Sequence, residues 1–201
     1  MFAIVESGSI TSMPSGNKGI TIGDNQYPAA IFSLWTEAER NAIGVYTVEI
    51  DYTNKKDEEY YVNTKITYAF SGGKVTGSYG TATAKAIADS DAVDEDGNKL
   101  KDENGNQIIN EGLKTIKKRE IDVQCDGLLA PSDWMYIKAG EEGTTMDSGW
   151  KTWRASVRTK CNSMQTQIDN AADVDALAAL FTYTTTDGVT SRPLGEFPVK
   201  E

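Results

Sequence analysis

Apolar residues in the C-terminal half recur at helical spacing. Trp150, Trp153, Val157, Cys161, Met164 and Ile168 stand 3, 4, 4, 3 and 4 positions apart, which places one apolar stripe along a helix. Asp147 or Ser148 can cap its N-terminus, because a short side-chain oxygen accepts an otherwise unpaired backbone N–H there. Lys151, Arg154, Arg158 and Lys160 fill the other faces with no acidic residue among them. Two tryptophans at one helix end need a covering surface, and Leu128, Leu129 and Trp134 are the nearest candidates. Trp134 and Trp150 are separated by a stretch that reads as a polar loop. Leu113, Ile116, Ile121, Val123 and Leu128 share one arc of a helical wheel, although their β-branched members also permit a strand. Asp173 caps a last short helix carrying Leu177, Leu180 and Phe181, and the tail from Thr182, with Pro193 and Pro198, is expected to lie extended over the body or a partner.

The N-terminal pattern has period two. Phe2 to Val5 and Ile10-Thr11 flank Ser7-Gly8-Ser9, a hairpin signal. Thr36-Glu37-Ala38-Glu39 is a capping box opening a short helix, Gly44 closes it, and Val45 to Ile50 alternates into a strand. Tyr60, Val62, Thr64, Ile66, Tyr68 and Phe70 then place aromatic and branched residues on one strand face; Ser71-Gly72-Gly73-Lys74 turns the chain so that Val75, Gly77 and Tyr79 return alongside. The expected class is α+β: an N-terminal antiparallel β-rich part with a short helix, and a C-terminal helical hairpin. The expected divisions are residues 1–55, a small β/α module; 56–111, a hairpin region with a turn-rich excursion; 112–181, helical; and 182–201, an extended tail.

Charge sharpens this picture in one place. The chain carries a net charge of −10, and residues 89–111 hold eight carboxylates against Lys99 and Lys101. Within them Asp94-Glu95-Asp96-Gly97-Asn98 is echoed eight positions later by Asp102-Glu103-Asn104-Gly105-Asn106. An EF-hand would need an acid where Ala92 and Leu100 stand, so two successive tight turns in a mobile excursion are the expectation, without a bound metal. Such a surface repels phosphate backbones, which argues against nucleic acid as partner. No stretch reaches the roughly 18 apolar residues of a membrane span, and Glu6 ends the first apolar run without the marks of a signal peptide. Cys125 and Cys161 read as small buried hydrophobes rather than as a disulfide or metal site. With no histidine, no nucleophile elbow and no phosphate loop, no catalytic residue and no cofactor is assigned. A two-carboxylate glycosidase stays open by count alone, since 30 acids make some close pair inevitable.

Leu128-Leu129-Ala130-Pro131-Ser132-Asp133-Trp134, followed by Trp150-Lys151-Thr152-Trp153-Arg154-Ala155-Ser156-Val157-Arg158, resembles the small tail-assembly-chaperone module of tailed bacteriophages. That module runs Arg-x-x-Leu-Leu-x-x-Ser/Thr-Asp-Trp and then Trp-x-x-Tyr-Arg-x-x-Leu-Arg; here Cys125 replaces the leading Arg and Trp153 the Tyr. The order Phe-x-x-Val, turn, small helix, Gly-Val-Tyr-x-Val in the first 55 residues more loosely resembles the N-terminal module of tail-fibre-associated phage proteins. The resemblance favours a helix over 112–130, ended by Pro131. It implies a non-enzymatic tail component, present in the host cytoplasm during assembly and in the virion tail thereafter. Its partners would be tail or tail-fibre proteins, and self-association into a homo-oligomer is compatible with it. The expected partner-binding residues are Trp134, Trp150, Trp153, Arg154 and Arg158, since Trp and Arg combine large buried area with a directional polar group. The competing class is a carbohydrate- or receptor-binding module that stacks sugar rings on Tyr60, Tyr61, Tyr68 and Tyr79.

Overall fold

A strand-rich N-terminal part and a helical C-terminal part make the protein α+β; the computed structural model describes residues 1–200. The chain divides into two compact units, residues 1–83 and 84–201.

The first unit is built on a five-stranded sheet. β1 (Phe2–Glu6) turns through Ser7-Gly8 into β2 (Ser9–Ser12), and a small hairpin follows from β3 (Ile20–Ile22) and β4 (Asn25–Tyr27). After α1 (Ile31–Leu34), α2 (Glu37–Ala42) starts on the expected capping box: Thr36 accepts from the Glu39 N–H, and the Glu39 carboxylate accepts from the Thr36 N–H at 2.7 Å. Gly44 takes φ +82°, and a Cβ there would press on the Val5 carbonyl, so only glycine joins α2 to β5 (Val45–Asp51) without strain. β6 (Tyr61–Val62), β7 (Thr67–Ser71), β8 (Lys74–Ser78) and β9 (Thr83–Ala84) follow. The sheet order is β2-β1-β5-β8-β7. Ala3, Val5, Val48 and Val75 form its buried centre, with Tyr46, Ile50, Tyr68 and Phe70 packed against them. Gly77 leaves room for that packing, because a Cβ would meet Tyr68, Ile50 and Ile66 at 2.7–2.9 Å.

Three expectations about this unit need correction. The sheet is mixed, because β5 and β8 run parallel, Val48 opposite Val75. These strands also join residues on both sides of position 55, so the expected boundary there cuts through one sheet. The alternation from Tyr60 to Phe70 is not one strand. Asn63 bonds the Lys56 N–H and carbonyl through its side chain, both at 2.8 Å, and Thr64 Oγ1 accepts from the Gly80 N–H at 2.7 Å. Such side-chain bonds compete with ladder pairing and break the strand between β6 and β7.

The second unit opens on the acidic arm. β10 (Ser90–Asp91) pairs with β11 (Ile109–Asn110), and the residues between them fold twice into the same turn. Asp94 accepts from the N–H groups of Asp96 (3.0 Å) and Asn98 (2.8 Å); Asp102 repeats this with Asn104 and Asn106 at 2.9 and 2.8 Å. Ala92, Leu100 and Ile108, eight residues apart, close a ring of backbone bonds: each N–H reaches a carbonyl of the next at 2.8–3.0 Å. The excursion is therefore a self-bonded arm. Both carboxylates are held below the usual aspartate range, Asp94 chiefly by the Asn98 backbone N–H and Asp102 chiefly by the Asn106 side-chain amide.

α3 (Leu113–Leu129) packs on α5 (Ser148–Asn170). Leu113, Lys117, Ile121 and Cys125 bury one stripe of α3, and Val157, Cys161, Met164 and Ile168 bury the predicted stripe of α5. The expected arc of α3 was turned too far, since Val123 is exposed and Lys117 takes an inward place. Lys117 manages this by laying its aliphatic stem inside while Nζ meets Glu120 at 2.8 Å and stands 4.9 Å above the Phe181 ring. A 3-10 turn at Ala130–Ser132 leads into α4 (Asp133–Glu141), where a loop was expected. Asp147 caps α5 through the Gly149 and Trp150 N–H groups, and Asp173 caps α6 (Val174–Phe181) through Ala176. The tail is not wholly extended: β12 (Thr184–Thr186) and β13 (Val189–Ser191) form a hairpin on Asp187-Gly188, both at positive φ.

Candidate docking site

The resembling motif closes on itself around Arg154. Its guanidinium enters the corner between α3 and α4: Nη1 donates to the Leu129 carbonyl (2.6 Å) and to Ser132 Oγ (2.5 Å), and Nη2 donates to Asp133 Oδ1 (2.5 Å). Ser132, itself buried, donates its hydroxyl proton to the same Leu129 carbonyl at 2.9 Å. The end of α3 leaves carbonyls without helical partners, and Arg154 and Ser132 satisfy one of them. Two elements far apart in sequence are thereby fixed at a set angle. Arg154 is only 9% exposed, so it is a lock inside the chain and is removed from the partner-binding set.

That lock presents α4 outward. Trp134, Tyr136 and Ile137 are 55%, 64% and 65% exposed, three large apolar side chains within one turn and a half. A cleft of about 300 Å³ lies between Trp134 and Trp150, lined also by Ala139 and Met146. Tyr136 and Ile137 belong to the run Trp134-Met135-Tyr136-Ile137, four successive apolar residues from which the sequence reading singles out Trp134 alone. Arg158 is exposed on α5.

Trp150 and Trp153 are half-buried and stand edge to face, centroids 5.6 Å apart. Residues 198–200 lie against them: Trp153 Nε1 donates to the Pro198 carbonyl at 2.9 Å, and Lys200 Nζ lies 5.3 Å from the Trp150 ring centre. Cys161 lies beside Asp122 (3.7 Å) on the α3–α5 interface, where burial pushes its thiol up to about 12 and keeps it protonated at neutral pH.

The tyrosines expected to face sugar are otherwise engaged. Tyr60 is buried, Tyr68 packs on the sheet core, and Tyr61 and Tyr79 are half-buried, beneath the ammonium groups of Lys56 and Lys55 respectively. Among the described residues no helix is long and apolar enough to cross a membrane. No protein-family model matches the chain, and neither a curated protein nor a solved structure matches it.

Proposed function

We propose that this chain is a non-catalytic tail component of a tailed bacteriophage, acting in tail or tail-fibre assembly or as a virion adaptor through protein–protein contacts. The observation that carries the reading is the outward face of α4. Trp134 and Ile137 stand one turn apart on one side of α4 and are both exposed, with Tyr136 exposed next to Ile137, and large apolar side chains left in water on a helix held in this way suit a partner better than solvent. The motif that resembles the phage module builds the lock behind this patch: Ser132, Asp133 and Arg154 fix the helix, and Trp134 begins its exposed face. The sugar-binding reading finds less support, because Tyr60 and Tyr68 are packed inside.

Complementation tests the proposal. A phage lacking this reading frame would be supplied with the wild-type chain or with Trp134→Ala/Ile137→Asp, and its particles examined for complete tails and fibres. The reading expects tail or fibre defects without the chain, and the same defects with a variant that still melts like the wild type. Normal particles in the absence of the chain would overturn it.

A further inference from the structure

Two thiols meet on the seam between α3 and α5. Cys125 stands one turn after Ile121 on the buried stripe of α3, and Cys161 one turn after Val157 on that of α5. Both are free thiols, and they are only 6% and 5% exposed. Their side chains lie within hydrogen-bonding reach of each other, and the sequence holds no other cysteine. Packed helices run about 8–10 Å apart with each Cα about 2.3 Å from its axis, so Cα atoms facing each other across a seam approach to about 5 Å. A disulfide spans about 4.4–6.8 Å between Cα atoms, so such a pair can close with little movement of either helix. The rim of the seam is polar. Cys161 Sγ donates to Asp122 Oδ1 at 3.7 Å, and the Gln165 amide donates to that oxygen and to Cys161 Sγ, the latter at 3.8 Å. Asp122 is exposed, so a carboxylate links the sulphurs to water. The stretch between the two cysteines contains Ser132, α4 and Arg154, the parts that hold the α4 face outward.

We propose that Cys125 and Cys161 are a latent disulfide site, left as thiols in a reducing cytosol and oxidised to one S–S bond by a low-molecular-weight disulfide once the chain enters an oxidising medium. Asp122 takes the proton of Cys161, whose sulphur attacks one sulphur of the small disulfide; a mixed disulfide forms and one small thiolate leaves. Cys125 then gives its proton to water and attacks Cys161 Sγ, and the second small thiolate leaves. Two protein thiols lose two electrons and two protons, and the small disulfide gains them as two thiols. Burial keeps Cys161 protonated, so the first step is slow and the pair stays open on the timescale of assembly. The oxidising medium rests on the reading above, since a virion subunit leaves the host cytosol. The chemistry itself is tested on the purified chain, so its failure would leave the α4 reading standing.

The full chain would be held under native conditions with hydroxyethyl disulfide for about a day, long enough for slow thiol–disulfide exchange. The expected product has lost two hydrogen atoms by mass, offers no thiol to maleimide when denatured, and yields a proteolytic peptide joining Cys125 to Cys161. Its helical unit should melt about 5 °C or more above that of the reduced chain, because the bond closes a long loop in the unfolded state. Dithiothreitol should reverse the gain, and Cys125→Ala should show none. The proposal is overturned if both thiols stay unreacted, if the reaction stops at hydroxyethyl adducts, or if the bond joins two chains. It is equally overturned if the closed bond leaves the melt unchanged or lowers it, or if Cys125→Ala gains as much as the wild type.

Discussion

Arg154 shows how one residue can be read correctly as important and wrongly as exposed. Its position on the α5 wheel, beside the apolar stripe, suits either solvent or a neighbouring helix end. Only the path of the chain through Pro131 brings the Leu129 carbonyl and Ser132 to it. Charge reversal of Arg154 together with Arg158 is therefore expected to unfold the helical unit. Arg154→Ala should lower its stability by about 2–3 kcal/mol, the worth of hydrogen bonds to a charged group whose partners are left unmet. Arg154→Lys should recover little, since an ammonium cannot span the three acceptors that the planar fork reaches. Arg158→Ala, at an exposed position, should change stability by no more than about 0.5 kcal/mol. Chemical denaturation of the four variants checks this, and equal effects of Arg154→Ala and Arg158→Ala would refute the lock. In the sheet, Gly77→Val should be severely destabilising, because its side chain would displace Tyr68 and Ile50 from the core.

Among the elements, those with a strong local signature were legible. The α5 stripe, the caps at Thr36, Asp147 and Asp173, and the hairpin at Gly72-Gly73 all follow from interactions within a few residues. Elements decided by distant partners were not. A strand's alternation names its buried face without naming its neighbour or direction, so the parallel β5–β8 pairing was hidden. On α3, Lys117 disguised the inward stripe because a lysine seldom occupies it. The acidic arm is legible as two turns, while the closing bonds of Ala92, Leu100 and Ile108 are not, since they form only after both turns exist. Its acid sensitivity follows from Asp94 and Asp102. Both carboxylates have lowered values in the fold, so their contribution is complete above the unfolded aspartate value of about 3.9 and fades as pH falls from there through the folded value. Amide resonances of Gly97 and Gly105 should stay native-like at pH 5 and collapse together in more acidic solution. Collapse well above pH 5 would contradict the turn geometry. Replacing residues 90–106 by a short Gly-Ser linker should leave the helical unit melting cooperatively, because the arm's base is tied outside that stretch by Gly112 to Asp89 and Leu113 to Ala86.

At the scale of the whole molecule, each unit has its own buried centre, around Val48 and Val75 in one and around Ile121, Val157 and Met164 in the other. Residues 84–201 produced alone should therefore fold, with a cooperative melt and the tryptophan pair still covered. The proposed meeting of the α4 face with a tail protein can be caught by amine-reactive cross-linking in phage-infected cells, read by mass spectrometry. Lys138 lies on α4 and Lys151 one turn into α5, both exposed beside the patch. The prediction is that these two lysines cross-link to a tail or tail-fibre protein, and that Trp134→Ala/Ile137→Asp abolishes those links while leaving links within the chain unchanged. Cross-links from Lys138 and Lys151 that reach only proteins outside the tail, or that survive the double substitution, would contradict it.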